Sequence, residues 1–114
     1  MNRDFGFWKV EKKMEISNLE IYSLLSKETY VANIEELSID GILNDFGVTF
    51  RGWRNCSKGL FVRNEESFQL MFSKQFVRVD CYNMKLQHMN AIIDIMIKYN
   101  CPLYDPVIDV RFDS

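Results

Sequence analysis

Two apolar segments separated by only two residues place the strongest constraint on the fold of this chain. Residues 67–73 and 76–82 are rich in aromatic and β-branched side chains, and only Lys74 and Gln75 lie between them. Strands joined by so short a connection must be antiparallel neighbours, because a parallel crossover needs a dozen or more residues. The sequence therefore predicts a tight β-hairpin, although Lys-Gln lacks the Asn-Gly chemistry that two-residue turns prefer.

Three segments carry the signatures of helices. A Ser-x-x-Glu pattern from Ser17 to Glu20 is a capping box, which marks a helix start. Ser38 and Gly47 bracket a second short helix, as its N-cap and its left-handed terminating residue. The strongest signal covers residues 85–99, where apolar side chains recur on one helical face. These side chains are Leu86, Met89, Ile92, Ile93, Met96 and Ile97.

Strands are also predicted near the two ends of the chain, at residues 5–11 and 108–112, the latter at a sheet edge. With the segment 60–63, the element order becomes β, α, α, β, β, β, α, β. This order predicts an α+β fold with an antiparallel sheet of about four to five strands and helices packed on one face. A ferredoxin-like variant is the simplest such arrangement. The length suits one domain, so residues 1–114 are interpreted as a single α+β domain.

The composition places the chain in a reducing, aqueous compartment. The first thirteen residues are interspersed with charges and contain no apolar stretch of the kind that a secretory signal needs. The most apolar segment, residues 89–97, is too short to cross a bilayer. The three cysteines share no CxxC spacing, which is typical of free thiols. We therefore expect a cytoplasmic protein without a membrane partner.

The residues that could perform catalysis do not form a recognisable pattern. The single histidine, His88, follows Cys81 by seven residues, and no motif links them as a base and a nucleophile. The pairs Glu35-Glu36 and Glu65-Glu66 are interpreted as solvated surface charge, because adjacent side chains point in different directions. Glycine-rich phosphate loops and zinc spacings are lacking, so we expect no cofactor, no metal and no enzymatic activity.

Charge is distributed unevenly in the middle of the chain. Residues 28–50 contain five acidic side chains and no base, whereas residues 51–63 contain four basic side chains and no acid. The acidic residues are Glu28, Glu35, Glu36, Asp40 and Asp45, and the basic ones are Arg51, Arg54, Lys58 and Arg63. Such segments either solvate the surface or attract a partner of opposite charge.

Aromatic residues offer two different hypotheses about a partner. Trp53 lies in a polar, glycine-containing loop, and an exposed tryptophan among polar residues is typical of a protein-binding hot spot. Residues 58–62, Lys-Gly-Leu-Phe-Val, partly resemble the start of an RNA-recognition motif, in which strand aromatics stack on bases. Under this alternative, the basic segment from Arg51 to Arg63 binds nucleic acid and Phe50, Trp53 or Phe61 provides stacking.

Residues 68–112 resemble the carboxy-terminal part of small bacterial immunity proteins. The resemblance lies in the aromatic hairpin that ends Arg-Val-Asp-Cys-Tyr at residue 82, in the helix from Met89 to Met96, and in the Cys-Pro-Leu-Tyr-Asp-Pro segment at residues 101–106. These proteins protect cells from toxins, including those of contact-dependent growth inhibition systems.

The resemblance implies a cytoplasmic inhibitor that binds its cognate toxin domain, often a nuclease, in a one-to-one complex. A nuclease cleft is basic because it must hold phosphates, so an acidic surface could occupy it. On this hypothesis the partner-binding residues are Glu35, Glu36, Asp40 and Asp45, with Trp53 as an anchor. The nucleic-acid-binding module remains the alternative function, and a small enzyme that uses Cys81 and His88 is the third.

Overall fold

The computed structural model describes residues 2–57 and 59–112, which form seven strands and three helices. The elements in chain order are β1 (Asn2–Phe7), α1 (Asn18–Ser26), α2 (Ile39–Thr49), β2 (Arg54–Ser57), β3 (Leu60–Arg63), β4 (Glu66–Ser73), β5 (Phe76–Tyr82), α3 (Leu86–Lys98), β6 (Leu103–Asp105) and β7 (Val110–Arg111). The predicted α+β class is confirmed.

All the strands belong to one antiparallel sheet with the order β2-β3-β4-β5-β1-β6-β7. β2 to β5 form a meander, and β1 inserts between β5 and β6. Since β5 and β6 are both antiparallel to β1, they run parallel to each other and are connected through α3. The sheet is larger than the four to five strands predicted, because the short strands β2 and β6 were not predicted, whereas β7 lies within the predicted edge strand at residues 108–112. The ferredoxin-like arrangement is not established by this topology.

The predicted hairpin of β4 and β5 is confirmed, with Ser73 opposite Phe76. Its Lys-Gln turn is explained by a contact outside the hairpin. The Gln75 side chain is buried, accepts a hydrogen bond from the Val31 backbone at 3.0 Å, and donates to the carbonyl oxygens of Val31 and Ile34. Gln75 therefore fixes the chain that precedes α2 against the end of the sheet.

The larger core lies between the sheet and the helix pair α2 and α3, on what we call the α2–α3 face. Phe5 and Phe7 of β1 point into it, as do Val77, Val79 and Cys81 of β5. From the helices, Phe46 and Met96 are completely buried. Ile92 and Met96 of the apolar stripe predicted for α3 are buried, but Leu86 and Ile97 of the same stripe are exposed. α2 continues to Thr49, so Gly47 does not end it as predicted.

A second core lies on the opposite side of the sheet, on what we call the α1 face. Trp8, Phe76 and Tyr104 point to this side and contact Tyr22 of α1 or one another through their rings. The prediction that the helices pack on one face is therefore wrong. Consecutive strand residues point to opposite faces, and the pairs Phe7-Trp8 and Phe76-Val77 are large and apolar on both. Each face of the sheet therefore needs a packed element that shields its apolar side chains from water.

The start of α1 follows the sequence prediction closely. Ser17 is the N-cap, and its hydroxyl oxygen accepts a hydrogen bond from the Glu20 backbone at 3.1 Å. This bond satisfies one of the backbone donors that a helix start leaves free. The cap orients α1 so that Ile21, Tyr22 and Leu25 are buried against the sheet.

Candidate partner-binding surface

Two of the predicted acidic residues are held in ion pairs within the molecule. Glu35 lies 3.6 Å from the Lys9 ammonium group. Asp45 accepts hydrogen bonds from the Tyr99 hydroxyl at 2.6 Å and from Lys98 Nζ at 3.0 Å. Hydrogen bonds from Tyr99 and Lys98 hold the pKa of Asp45 below its usual range. Asp45 thus connects α2 to the end of α3, and its charge is largely compensated.

The other two acidic residues, Glu36 and Asp40, are exposed. Both line a shallow depression of about 550 Å³ at the start of α2, together with Lys74 from the β4–β5 turn. The stretch without bases in the sequence is therefore not a surface without bases. Lys9, Lys74 and Lys98 reach it from other elements, which corrects the predicted continuous acidic surface.

The predicted anchor Trp53 is part of the core. Its relative exposure is 8%, and its ring contacts Phe50, Phe68 and His88 at centroid distances of 5.2, 5.7 and 5.1 Å. The polar residues around Trp53 in sequence suggested an exposed loop. The chain instead turns the indole inward to fill the space between α2 and the sheet. The Trp53 side chain therefore has little exposed surface with which to contact a partner.

An apolar groove lies between the end of α3 and strand β6. Its volume is about 500 Å³, and its lining is mostly aliphatic or aromatic. The lining residues are Ile93, Ile97, Asn100, Cys101, Pro102, Leu103 and Phe112. Concave apolar surfaces with a few polar groups are the usual form of binding sites.

Exposed apolar side chains line this groove and precede one of its lining residues in the chain. Ile97 and Phe112, which line it, are 57% and 53% exposed. Val107, Ile108 and Val110 precede Phe112 in the chain and are exposed as well. Single exposed apolar residues are normal, but a contiguous group of them marks a surface that another molecule covers. We call this group, with the groove, the apolar surface.

The predicted acidic segment borders the apolar surface. Lys98 and Tyr99, which bind Asp45, directly follow Ile97 in the chain. The Tyr99 hydroxyl also lies 3.0 Å from the position that a Cβ atom on Gly41 would occupy. Burial raises the pKa of Cys101, a groove residue, to about 11, and the charges of Lys9 and Glu35 also act on it. The apolar surface therefore has a charged rim along its α2 side.

The sequence indicated these apolar residues but not their exposure. Ile97 belonged to the predicted stripe of α3, and Ile108, Val110 and Phe112 formed the apolar side of the predicted edge strand. Both patterns are normally typical of core-facing positions. Only the three-dimensional structure reveals that no element of the described chain covers them.

A buried hydrogen-bonded pair of ionisable residues that the sequence did not predict lies beside Trp53. Glu66 is 5% exposed, so the prediction that it is a solvated surface charge is wrong. Its Oε1 lies 2.7 Å from His88 Nδ1. The same oxygen accepts a hydrogen bond from the Lys85 backbone at 2.8 Å. Burial acts to raise the pKa of Glu66, but the hydrogen bonds from His88 and Lys85 outweigh it and lower the pKa. This pair attaches the start of α3 to the sheet.

The same region argues against the enzyme hypothesis. Cys81 is 1% exposed, and burial raises the pKa of its thiol to about 12. A nucleophilic cysteine needs a lowered pKa and access to substrate. His88 is engaged by Glu66 and by the Trp53 ring. In the part of the chain that the structure covers, no three His, Cys, Asp or Glu side chains gather as metal ligands would.

The aromatic residues that were predicted to stack on bases in a nucleic-acid-binding module are not exposed. Phe50, Trp53 and Phe61 are all buried in the core on the α2–α3 face. Arg51, Arg54 and Arg63 are exposed, while Lys58 lies outside the described residues. The basic segment is therefore available for phosphate contacts, but the aromatic side chains named with it are not available to bases.

Comparison of the chain with protein-family models, with curated proteins and with solved structures found no match. Across residues 2–57 and 59–112, none of the helices has the length and apolar character needed to span a bilayer.

Proposed function

We propose that this protein is an immunity protein that binds and neutralises a cognate toxin domain in the cytoplasm, and that the apolar surface forms the centre of the complex. One observation carries the proposal: Ile97 and Phe112 are exposed in the lining of a groove of about 500 Å³, and the exposed Val107, Ile108 and Val110 precede Phe112 in the chain. The resemblance of residues 68–112 to immunity proteins provides the class of partner. The parallel pair β5 and β6, joined by α3, fits a ferredoxin-like variant of the fold.

The physical reason is the free energy of exposed apolar area. Covering an isoleucine or phenylalanine side chain contributes roughly 1.5–3 kcal/mol. Stable interfaces have this form, with an apolar centre that excludes water and a polar rim. Here the centre comprises the end of α3 and the chain after β6, and the rim includes the charged residues beside α2. A partner that fills the groove would cover these side chains together.

Glu36 and Asp40 share their depression with the single base Lys74, which among the described lining residues leaves one net negative charge that favours a basic partner. Glu36 and Asp40 are exposed, and no ion pair within 4.0 Å joins either of them to another described residue. Exposed charges of this kind accelerate association with an oppositely charged surface more than they strengthen the final complex. A nuclease domain with a basic cleft fits this rim.

The experiment compares two single substitutions on the same helix. Ile97→Asp places a charge in the apolar surface, whereas Leu86→Asp places one at a residue that is 69% exposed and outside the groove lining. Binding to the carboxy-terminal domain of the toxin encoded directly upstream is measured by calorimetry. We expect Ile97→Asp to weaken binding by about 30-fold or more, as at a hot spot, and Leu86→Asp to leave it unchanged.

Circular dichroism checks that both variants keep the wild-type fold. Equal affinities of the two folded variants would contradict the proposed binding surface. An upstream neighbour that is not a toxin, or a toxin domain that does not bind, would contradict the proposed function itself.

The exposed arginines of residues 51–63 favour the nucleic-acid module as the second candidate. Arg54 lies on the edge strand β2, all of whose residues are exposed. Titration with single-stranded RNA at two salt concentrations separates the candidates, because phosphate binding must weaken as salt rises.

A further inference from the structure

About half of the α1 face is covered by none of the helices in residues 2–57 and 59–112. α1 covers the end of this face that contains Trp8, Phe76 and Tyr104. Along β4 and β5 the register continues away from α1, past Met71, which is 39% exposed beside the end of α1, to Tyr82, which is 38% exposed. We call this uncovered half the open sheet surface. Its central residues are Asp4, Gln69, Met71, Arg78, Asp80 and Tyr82.

Two carboxylates share one guanidinium group in the middle of this surface. Asp4 and Asp80 are directly opposite each other on β1 and β5. Arg78 binds Asp80 with two hydrogen bonds, at 2.8 and 3.3 Å, and reaches Asp4 only at 3.5 Å. Asp80 is therefore well satisfied, whereas Asp4 retains acceptor capacity that faces solvent, with 43% of its side chain exposed.

The charge of this cluster is not balanced. Two carboxylates and one guanidinium leave one negative charge on a partly buried surface. Burial and then the neighbouring charge of Asp80 raise the pKa of Asp4, so its ionised form is disfavoured here. A further positive group beside Asp4 would remove this penalty.

An independent observation concerns Tyr22, which lies against Gly6 between α1 and the cluster. Its hydroxyl group is buried and has no hydrogen-bond partner among the described residues. Burial raises the pKa of Tyr22 to about 12, and the charges of Arg78, Asp4 and Asp80 all act on the same hydroxyl. Buried polar groups are normally paired, so an orphan hydroxyl beside a charged cluster indicates a missing donor or acceptor.

We propose that the open sheet surface binds an arginine side chain of a partner protein, with the guanidinium group beside Asp4 and its aliphatic stem along Tyr82. Arg78 already displays this mode of binding, because it forms a bidentate pair with Asp80 while its guanidinium lies 5.6 Å from the Tyr22 ring. A planar guanidinium suits a carboxylate and an aromatic face at once, whereas lysine carries a point charge. The site lies on the opposite side of the sheet from Leu103 of the groove, and it does not depend on the proposed function.

The charge of the surface disfavours nucleic acid at this position. The RNA phosphates would meet Asp4 and Asp80, and Tyr82 is the aromatic side chain among the six central residues. Sequence-tolerant binding of single strands normally uses several stacking side chains along a basic groove. A basic protein segment therefore fits better than a nucleic acid.

The experiment is a titration of the full chain with the peptide acetyl-Gly-Arg-Gly-amide, followed by amide resonances in NMR spectra. We expect the resonances of residues 4–6 and 78–82 to shift in a saturable manner. The same peptide with citrulline, a neutral isostere of arginine, serves as the ligand control. Asp4→Asn is the test variant and Asp94→Asn, on the exposed side of α3, is the matched control.

Asp4→Asn is expected to weaken peptide binding about fivefold, the usual size for one partly exposed ion pair, while Asp94→Asn binds as wild type. Asp4 makes one long contact to Arg78, so the variant should fold, and the dispersion of its spectrum checks this. Equal binding of the citrulline peptide, unchanged binding by Asp4→Asn, or shifts at other residues would each overturn the proposal. Single-stranded oligouridine that shifts the same resonances would do so as well.

Discussion

Replacement of Glu66 by glutamine tests how the buried pair of Glu66 and His88 stabilises the fold. The side chain of Glu66 is 7% exposed, and its Oε1 binds both His88 and the Lys85 backbone. Glutamine retains an oxygen that can accept both bonds but removes the charge. Two charge-assisted bonds of about 1.5–3 kcal/mol each then become neutral bonds of about 1 kcal/mol each. We therefore expect a loss of about 2 kcal/mol in the free energy of unfolding.

Two further substitutions calibrate this value. Glu66→Ala removes both bonds and leaves buried donors without an acceptor, which costs about 4 kcal/mol. Glu65→Gln changes the exposed neighbouring carboxylate and should stay within about 0.5 kcal/mol of wild type. Urea denaturation at pH 7, followed by the fluorescence of the buried Trp8 and Trp53, measures all three.

The sign of the pH dependence follows from the direction of the pKa shift. The folded structure lowers the pKa of Glu66 below its ordinary value, so the stabilisation by its charge is fully present above about pH 5. It disappears as the pH falls through the pKa of the folded state. The difference between wild type and Glu66→Gln should therefore shrink in acid. A difference below about 0.5 kcal/mol at pH 7, or one that grows in acid, would contradict this role of the Glu66 charge.

Other predictions concern glycines and thiols. Gly6→Ala should destabilise the fold by about 1–3 kcal/mol in urea denaturation, because the new Cβ would lie 2.7 Å from the Tyr22 ring. Gly47→Ala, at an exposed helix position with nothing within 4 Å, should instead stabilise it by about 0.5–1 kcal/mol, and the same sign for both variants would contradict this packing. In native protein an alkylating reagent should modify the exposed Cys56 first, and mass spectrometry should find Cys81 and Cys101 modified only after unfolding. Rapid modification of Cys81 would contradict its burial.

Local signals in the sequence predicted most of the elements. The two-residue connection at Lys74 and Gln75 was sufficient for the hairpin, and the Ser17 capping box was sufficient for the start of α1. Both depend on residues close together in the chain. The second core was not predicted, because the placement of α1 depends on Trp8, Phe76 and Tyr104, which come from three separate strands.

The predicted binding residues were less successful for a related reason. Exposure is a tertiary property, so a polar neighbourhood in sequence did not reveal that Trp53 fills a gap under α2. The stretch from Glu28 to Phe50 contains no base, but Lys9 and Lys98 reach its acids from distant segments. Conversely, Ile97 and Phe112 follow patterns that are normally typical of a core, and no pattern distinguishes an apolar face that is covered from one that is open.

The pair of Glu66 and His88 had no signal in the sequence at all. Twenty-two residues separate them, and neither side chain belongs to a motif. The register of β4 and the direction of α3 bring them together. Buried pairs of ionisable residues of this kind can be found only once the packing of the elements is known.

The most direct measurement is amide hydrogen exchange of the chain, alone and mixed with the carboxy-terminal domain of the protein that the neighbouring upstream gene encodes, which the proposed function requires to be a toxin. We expect strong additional protection in residues 93–103 and 107–112, which contain the apolar surface, and weaker protection around Glu36 and Asp40. Protection confined to other segments, with exchange at Ile97 and Phe112 unchanged, would contradict the claim that this surface binds the partner.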